Sequence, residues 1–308
     1  MMKLTRKAGE ILLAAVILAR STSFVMIKIG LQSMGTFTLL GLRFLLAFIC
    51  LLPFGWIRLK QADGKTIYRG MLLGLAFFLV MAAEVSGIKR IDGSTVAFLE
   101  NTALVIVPVF EAFLLRRLPK KLVVVSALIT LCGVGLITLK DGGFSFSMGE
   151  FFSLTAAVFY AAAIILTDRV SKESDPLTLG ILQVGFMGFF SIIAAFVVET
   201  PRLPAGSTEW GVILALALVC TGFGYTLQPL AQRTTTSERA GLFCALGPIG
   251  AAVTGFLVLG ESFGPTEVLG IALILLGMFL GRMIEWAKKG RGRHESRSYH
   301  AVVEKAGL

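Results

Sequence analysis

The chain has 308 residues, 56% of them hydrophobic and 16% charged, with a mean hydropathy of +0.83 and a formal charge of +10. A soluble domain is about 45–50% apolar and about 25% charged, so the apolar excess excludes a single water-soluble core. A helix rises about 1.5 Å per residue through a hydrocarbon layer about 30 Å thick, which divides such a sequence into crossings of about 20 residues.

The head, with Lys3, Arg6 and Lys7 ahead of an apolar run from Ile11 to Ala19, resembles a signal peptide. The apolar pattern resumes after Arg20 through Phe24 and Ile27, which predicts a retained first span. Apolar blocks between charge and turn clusters then predict spans near 10–30, 35–57, 68–88, 93–115, 121–139, 149–170, 176–198, 209–231, 237–259 and 264–285. Taking loops alternately, 22 lysines and arginines fall on the side of the two chain ends and four, Lys89, Arg90, Lys140 and Arg202, on the other. Cytoplasmic loops carry the positive excess, so a multi-pass protein of the cytoplasmic (inner or plasma) membrane is expected, with both termini cytoplasmic. That topology absorbs the basic charge, and no soluble face is left to present it to a nucleic acid. The segment Lys288–Arg297 reads as a solvated cytoplasmic end, with anionic membrane lipid as its alternative contact.

Cys50, Cys132, Cys220 and Cys244 each sit in an apolar stretch without metal-ligand or redox spacing. His294 and His300 lie in the polar tail, so no metal site and no cofactor are expected.

The chain approximately repeats itself. Gly9-Glu10 matches Gly149-Glu150, LLGLR (39–43) resembles LGILQ (179–183), and Pro108 matches Pro248. Beyond the prolines the halves slip by one helical turn, and LITLCGVGLITL (128–139) resembles LILLGMFL (273–280). Five crossings is an odd number, so the second half must enter the membrane from the opposite side. The expected fold is all-α and integral to the membrane, about ten transmembrane helices in two inverted five-helix repeats around a central cavity. Residues 1–140 form the first repeat, 141–285 the second, and 286–308 a basic cytoplasmic tail. Pro108 and Pro248, each removing a backbone donor, are the candidate paired hinges.

These stretches resemble the EamA-type members of the drug/metabolite transporter superfamily. STSFVMIKIGLQSMGTFTLLGLRFLLAF (21–48) is similar to the family's helix 1 to helix 2 pattern, with Arg43 at a recurrent arginine. AQRTTTSERAGLFCALGPIGAAVTGFLVLGESFGPTEVLGIALILLG (231–277) is similar to its helix 8 to helix 10 pattern, including Pro248 and Gly260-Glu261. The resemblance implies ten helices in inverted repeats, a central substrate cavity and, most often, export of amino acids or other metabolites. The sequence departs at Arg20, where members often carry an aromatic residue, and at Arg117, where the second half has Glu261.

An ionisable group near the bilayer centre is costly and faces the bundle interior. Arg20 and Glu100, with Glu84 and Asn101, therefore form a candidate pocket in which a charged or zwitterionic substrate competes with an internal ion pair; a fixed structural pair is the alternative. Arg43 reads equally as an anchor or a cavity residue, Lys28 as an interfacial group. Ser21, Ser23, Tyr160, Tyr225 and Gln228 can complete the pocket or merely join helices. Gly277 and Gly281 have the spacing of a close helix contact, within a chain or in a homodimer.

The sequence thus points to a secondary transporter that moves a small metabolite, an amino acid or related compound, by alternating access, with a proton or counter-substrate as coupling partner. It has no phosphate-binding loop and is not read as an enzyme. A channel or lipid flippase on the same scaffold is the alternative, and a membrane-embedded lipid enzyme ranks below both.

Overall fold

A computed structural model of the chain describes residues 6–114, 116, 118, 121–137, 139–140, 143–144, 146–233, 246–277 and 279–280, and nearly all of them are helical. The first half holds α1 (Arg6–Ser21), α2 (Ser23–Gly30), α3 (Thr36–Lys60), α4 (Gly64–Ile88), α5 (Gly93–Asn101), α6 (Ala103–Leu114) and α7 (Lys121–Ile137). A small antiparallel ribbon, β1 (Leu139–Lys140) and β2 (Gly143–Phe144), leads into the second half. There follow α8 (Met148–Glu173), α9 (Pro176–Val198), α10 (Ser207–Ala215), a π-helix over Leu216–Tyr225, α11 (Thr226–Arg233), α12 (Leu246–Leu259) and α13 (Pro265–Gly277). The predicted tail 286–308, both histidines, Cys244, Arg117 and Gly281 lie outside the described residues.

Among the described residues seven helical stretches are long and apolar enough to cross a membrane: 7–30, 36–60, 64–88, 93–114, 148–173, 176–198 and 207–233. Shorter apolar helices at 124–136, 246–259 and 265–277 complete the ten predicted segments. The outer face is apolar, with Phe54 85% and Phe113 83% exposed, a surface that suits hydrocarbon and not water. The protein is a multi-span helical membrane protein.

Local signals set the helix starts. Asp63 accepts from Thr66 N–H at 3.0 Å to cap α4, and these bonds hold its exposed carboxyl below the usual carboxylate range. Asp175 accepts from Thr178 N–H at 3.0 Å at the start of α9, ahead of Pro176 at the first helical position. Glu150, matched in the sequence with Glu10, closes a capping box with Ser147 at the start of α8.

The packing repeats about a pseudo-two-fold relation. The second span, α3, packs along the seventh, α9, and the fourth, α5, packs on the ninth, α12. The third span contacts the sixth (α4 on α8), just as the eighth contacts the first (the π-helix and α11 on α1). At the centre of α3 and α9 a Cβ on Gly188 would lie 2.9 Å from Leu45 N and 3.2 Å from Phe44 C, so only glycine permits this backbone approach. Gly277 faces α7 in the same way, 2.8 Å from Ser126 O and 3.0 Å from Thr130 N. It therefore serves a contact inside the chain.

Among the described residues three spans depart from the regular α-helix. The first breaks at Thr22, whose hydroxyl donates to Ala19 O at 2.8 Å while Ser21 donates to Leu18 O at 2.8 Å. The fourth breaks at Thr102, whose hydroxyl donates to Leu99 O at 2.7 Å. Hydroxyls bonded to carbonyls one turn back compete with the helix ladder and bend it. The eighth widens into its π-helix. Pro108 lies inside α6, beyond the Thr102 break, and Pro248 near the start of α12.

Gly188→Ala should lower thermal stability in detergent by about 1–3 kcal/mol, the usual range for overpacking. Gly211→Ala, where a Cβ meets nothing within 4 Å, should leave the unfolding midpoint unchanged.

Candidate functional site

The interruptions surround a cavity of about 30 Å³ lined by Ile17, Arg20, Ser21, Ser23, Phe24, Glu84, Glu100, Asn101, Tyr160, Tyr225 and Gly247. Eight of the ten predicted cavity residues stand on this wall, contributed by the first, third, fourth, sixth and eighth spans. Each irregularity lies beside a charged or polar residue. Arg20 is two residues before Thr22, Glu100 two before Thr102, and Tyr225 ends the π-helix.

Arg20 is tightly held. Its Nη1 donates to Gln228 Oε1 at 2.7 Å and its Nη2 to Tyr225 OH at 2.9 Å. The guanidinium stacks 4.1 Å from the Tyr225 ring centre and 5.8 Å from that of Tyr160. Tyr225 OH donates onward to Met81 Sδ at 3.3 Å, and the ring meets Phe44 and Phe77 edge-on at 5.7 Å. Gln228 is thus behind the wall, as the support of Arg20.

The opposite side is acidic. Glu84 and Glu100 are buried and within hydrogen-bonding range of each other. Among the described residues Arg20 forms no direct ion pair with either, which sets aside the fixed Arg20–Glu100 bridge considered from the sequence. Glu84 Oε1, Glu100 Oε2 and Asn101 Oδ1 are buried acceptors without a hydrogen-bond donor among the described residues. The Asn101 amide donates back to Ala97 O at 2.8 Å, which turns its oxygen away from that helix carbonyl. A buried acceptor left unpaired costs about 1–3 kcal/mol, so a cluster of three is a place for a donor-rich group.

Arg43 is not on the wall and does not reach headgroups. It is fully buried behind Tyr225, donating from Nε to Thr221 Oγ1 of the π-helix at 2.7 Å, with its guanidinium 5.0 Å from the Phe44 ring centre. Its Nη1 and Nη2 have no acceptor among the described residues. The charge balances the Glu84 carboxyl through space.

Sequence reasoning missed two carboxylates that cap other helices. Glu199 accepts from Phe37 N–H at 3.2 Å and Thr38 N–H at 3.1 Å at the start of α3. Glu261 accepts from Gly93 N–H at 3.1 Å and Ser94 N–H at 3.3 Å at the start of α5. The Gly260-Glu261 pair was visible as a motif, but its target lies 167 residues away. Lys28, expected at the interface, instead pairs with Asp92 at 2.8 Å.

The pattern of the EamA-like transporter family matches residues 7–139 and again 147–282. An uncharacterized transporter of Archaeoglobus fulgidus is 27% identical over 276 residues, covering 89% of this chain and 86% of that protein. The uncharacterized transporter YetK of Bacillus subtilis is 24% identical over 299 residues, 89% and 90% of the two chains. The threonine/homoserine exporter RhtA of Escherichia coli is 30% identical over 129 residues, 40% of this chain and 41% of its own. One solved crystal structure shares the fold with a TM-score of 0.67 and 18% identity, over 91% of this chain and 98% of that one.

Tyr225→Phe removes an acceptor of a charged donor and Gln228→Ala removes the other. Each should cost about 1.5–3 kcal/mol of stability in thermal unfolding, and the double variant should cost less than the sum because both release one guanidinium.

Proposed function

This chain belongs to the EamA-like transporter family, its two matches covering nearly the whole sequence, and from that premise we propose that it exports a small zwitterionic metabolite, an amino acid or close relative. The observation that carries the reading is the division of one cavity into two walls. Arg20 offers guanidinium to a carboxylate, and Glu84, Glu100 and Asn101 offer three unpartnered acceptors to an ammonium group, which has three donors. The partial relative RhtA, named a threonine/homoserine exporter, supports both the class and the direction.

Transport runs by alternating access between two inverted repeats, 1–140 and 141–285, in the cytoplasmic membrane with both chain ends in the cytoplasm, the side where 22 basic residues fall. A cavity of about 30 Å³ holds water and not a metabolite, so its walls must part for loading. The interruptions at Thr22, Thr102 and the π-helix let half-spans move without dragging whole helices. Pro108 and Pro248 serve as the paired hinges of the fourth and ninth spans.

In proteoliposomes, counterflow of labelled small neutral amino acids should be saturable. Arg20→Ala and Glu100→Gln should each reduce it by about 10²-fold or more while the protein still accumulates in the membrane, because each strands the partner group of a bound charge. The methyl ester, which lacks the anion, and the des-amino acid, which lacks the ammonium, should both compete poorly. Equal competition by either would reject the two-walled site.

A further inference from the structure

The cavity is roofed on one side by α2, the start of α5 and the end of α12, and a single cluster joins all three. Lys28 of α2 pairs with Asp92 at 2.8 Å, donates to Ile91 O at 3.2 Å, and lies 3.9 Å from Glu261. Glu261 follows α12; its side chain is 5% exposed and takes the Gly93 and Ser94 N–H groups and the Ser94 hydroxyl. A carboxylate on a helix N-terminus is stabilised by the unpaired N–H groups and by the helix dipole. A Cβ on Gly93 would lie 3.4 Å from Phe24 Cβ, and Phe24 is itself on the cavity wall, so the cluster adjoins the cavity.

The two-fold relation makes a comparison at the other end of the bundle. One repeat further along, Lys28 corresponds to Asp168 and Asp92 to Gln232. Asp168 pairs with Lys172 on its own helix at 2.7 Å. The buried Gln232 amide has no partner for either atom among the described residues. Among the described residues that end is tied by other pairs, Arg58 with Asp175 at 3.2 Å and Arg69 with Ser174 at 2.9 Å.

We propose that Lys28, Asp92 and Glu261 form the outer gate of the transport cycle. Opening outward separates α2 from α5 and α12, which breaks the Lys28 contacts and lifts Glu261 from the α5 N-terminus. The outward assignment rests on the orientation given under the proposed function; the clamp does not.

The test reads conformation without substrate. In a background with Cys50→Ser, Cys132→Ser, Cys220→Ser and Cys244→Ser, a Ser23→Cys reporter on the cavity wall is labelled with a membrane-impermeant maleimide in right-side-out and inside-out vesicles. Labelling from outside should be slow with the clamp intact, rise about tenfold in Lys28→Met and in Glu261→Gln, and stay slow in Lys28→Arg. Should Glu261→Gln fail to accumulate, Lys28→Met decides alone, since its side chain is 30% exposed and its loss leaves no buried void. Unchanged outside labelling in a folded Lys28→Met protein would overturn the gate. Faster labelling only from the cytoplasmic face would overturn the outward assignment. Absence of amino acid counterflow would defeat the proposed substrate and leave both labelling outcomes readable.

Discussion

In hydrocarbon a backbone carbonyl that loses its helical donor finds no water to replace it, and the rest of this molecule is arranged around that constraint. A span can be interrupted only where another group supplies the missing bond. Here the hydroxyls of Ser21, Thr22 and Thr102 each add a bond to a carbonyl one turn back, Leu99 O taking the Thr102 N–H as well at 3.1 Å. The interruptions then fall beside Arg20 and Glu100, the residues whose placement in lipid is most costly. Breaks and charges occupy one layer because each makes the other tolerable: the loosened backbone opens a polar pocket, and the pocket shelters the charges.

That layer is held by the scaffold of the second and seventh spans. Gly188 lets α3 and α9 approach to backbone contact, and Arg43, from the same stretch of α3, reaches across to Thr221 in the π-helix. Tyr225 lies between the two arginines, stacked on Arg20 and 5.9 Å from the Arg43 guanidinium. The cationic side of the cavity is thus built as a stack anchored in the rigid core, whereas the acidic side sits on the third span and on the broken fourth.

Much of this was legible in the residues. Where the described residues include both ends, hydropathy delimited the spans to within a few residues, since a lipid-facing helix must be apolar over its whole length and the loops are short. Intramembrane charge picked out Arg20, Glu84 and Glu100, because nothing but function or pairing keeps such groups there. What pairs with what was hidden. Arg20 has its partners Tyr225 and Gln228 more than 200 residues away, and Lys28 looked like an interfacial group because Asp92 is 64 residues off. Arg43 was placed between anchor and cavity residue, and the residues that hold it, Thr221 and Tyr225, lie on a span far away in sequence. The prolines drew the eye as breakers, while the breaks described are made by threonines, whose short hydroxyls look innocuous in sequence.

The π-helix over Leu216–Tyr225 carries its bonds one residue longer than an α-helix does, so a stretch of ladder is held in reserve. Were those bonds to slip back to the α register, the chain from Tyr225 onward would turn about its own axis like a screw, and the Tyr225 ring and the Gln228 amide would swing together off Arg20. One span could then release the guanidinium by twisting in place, without tilting.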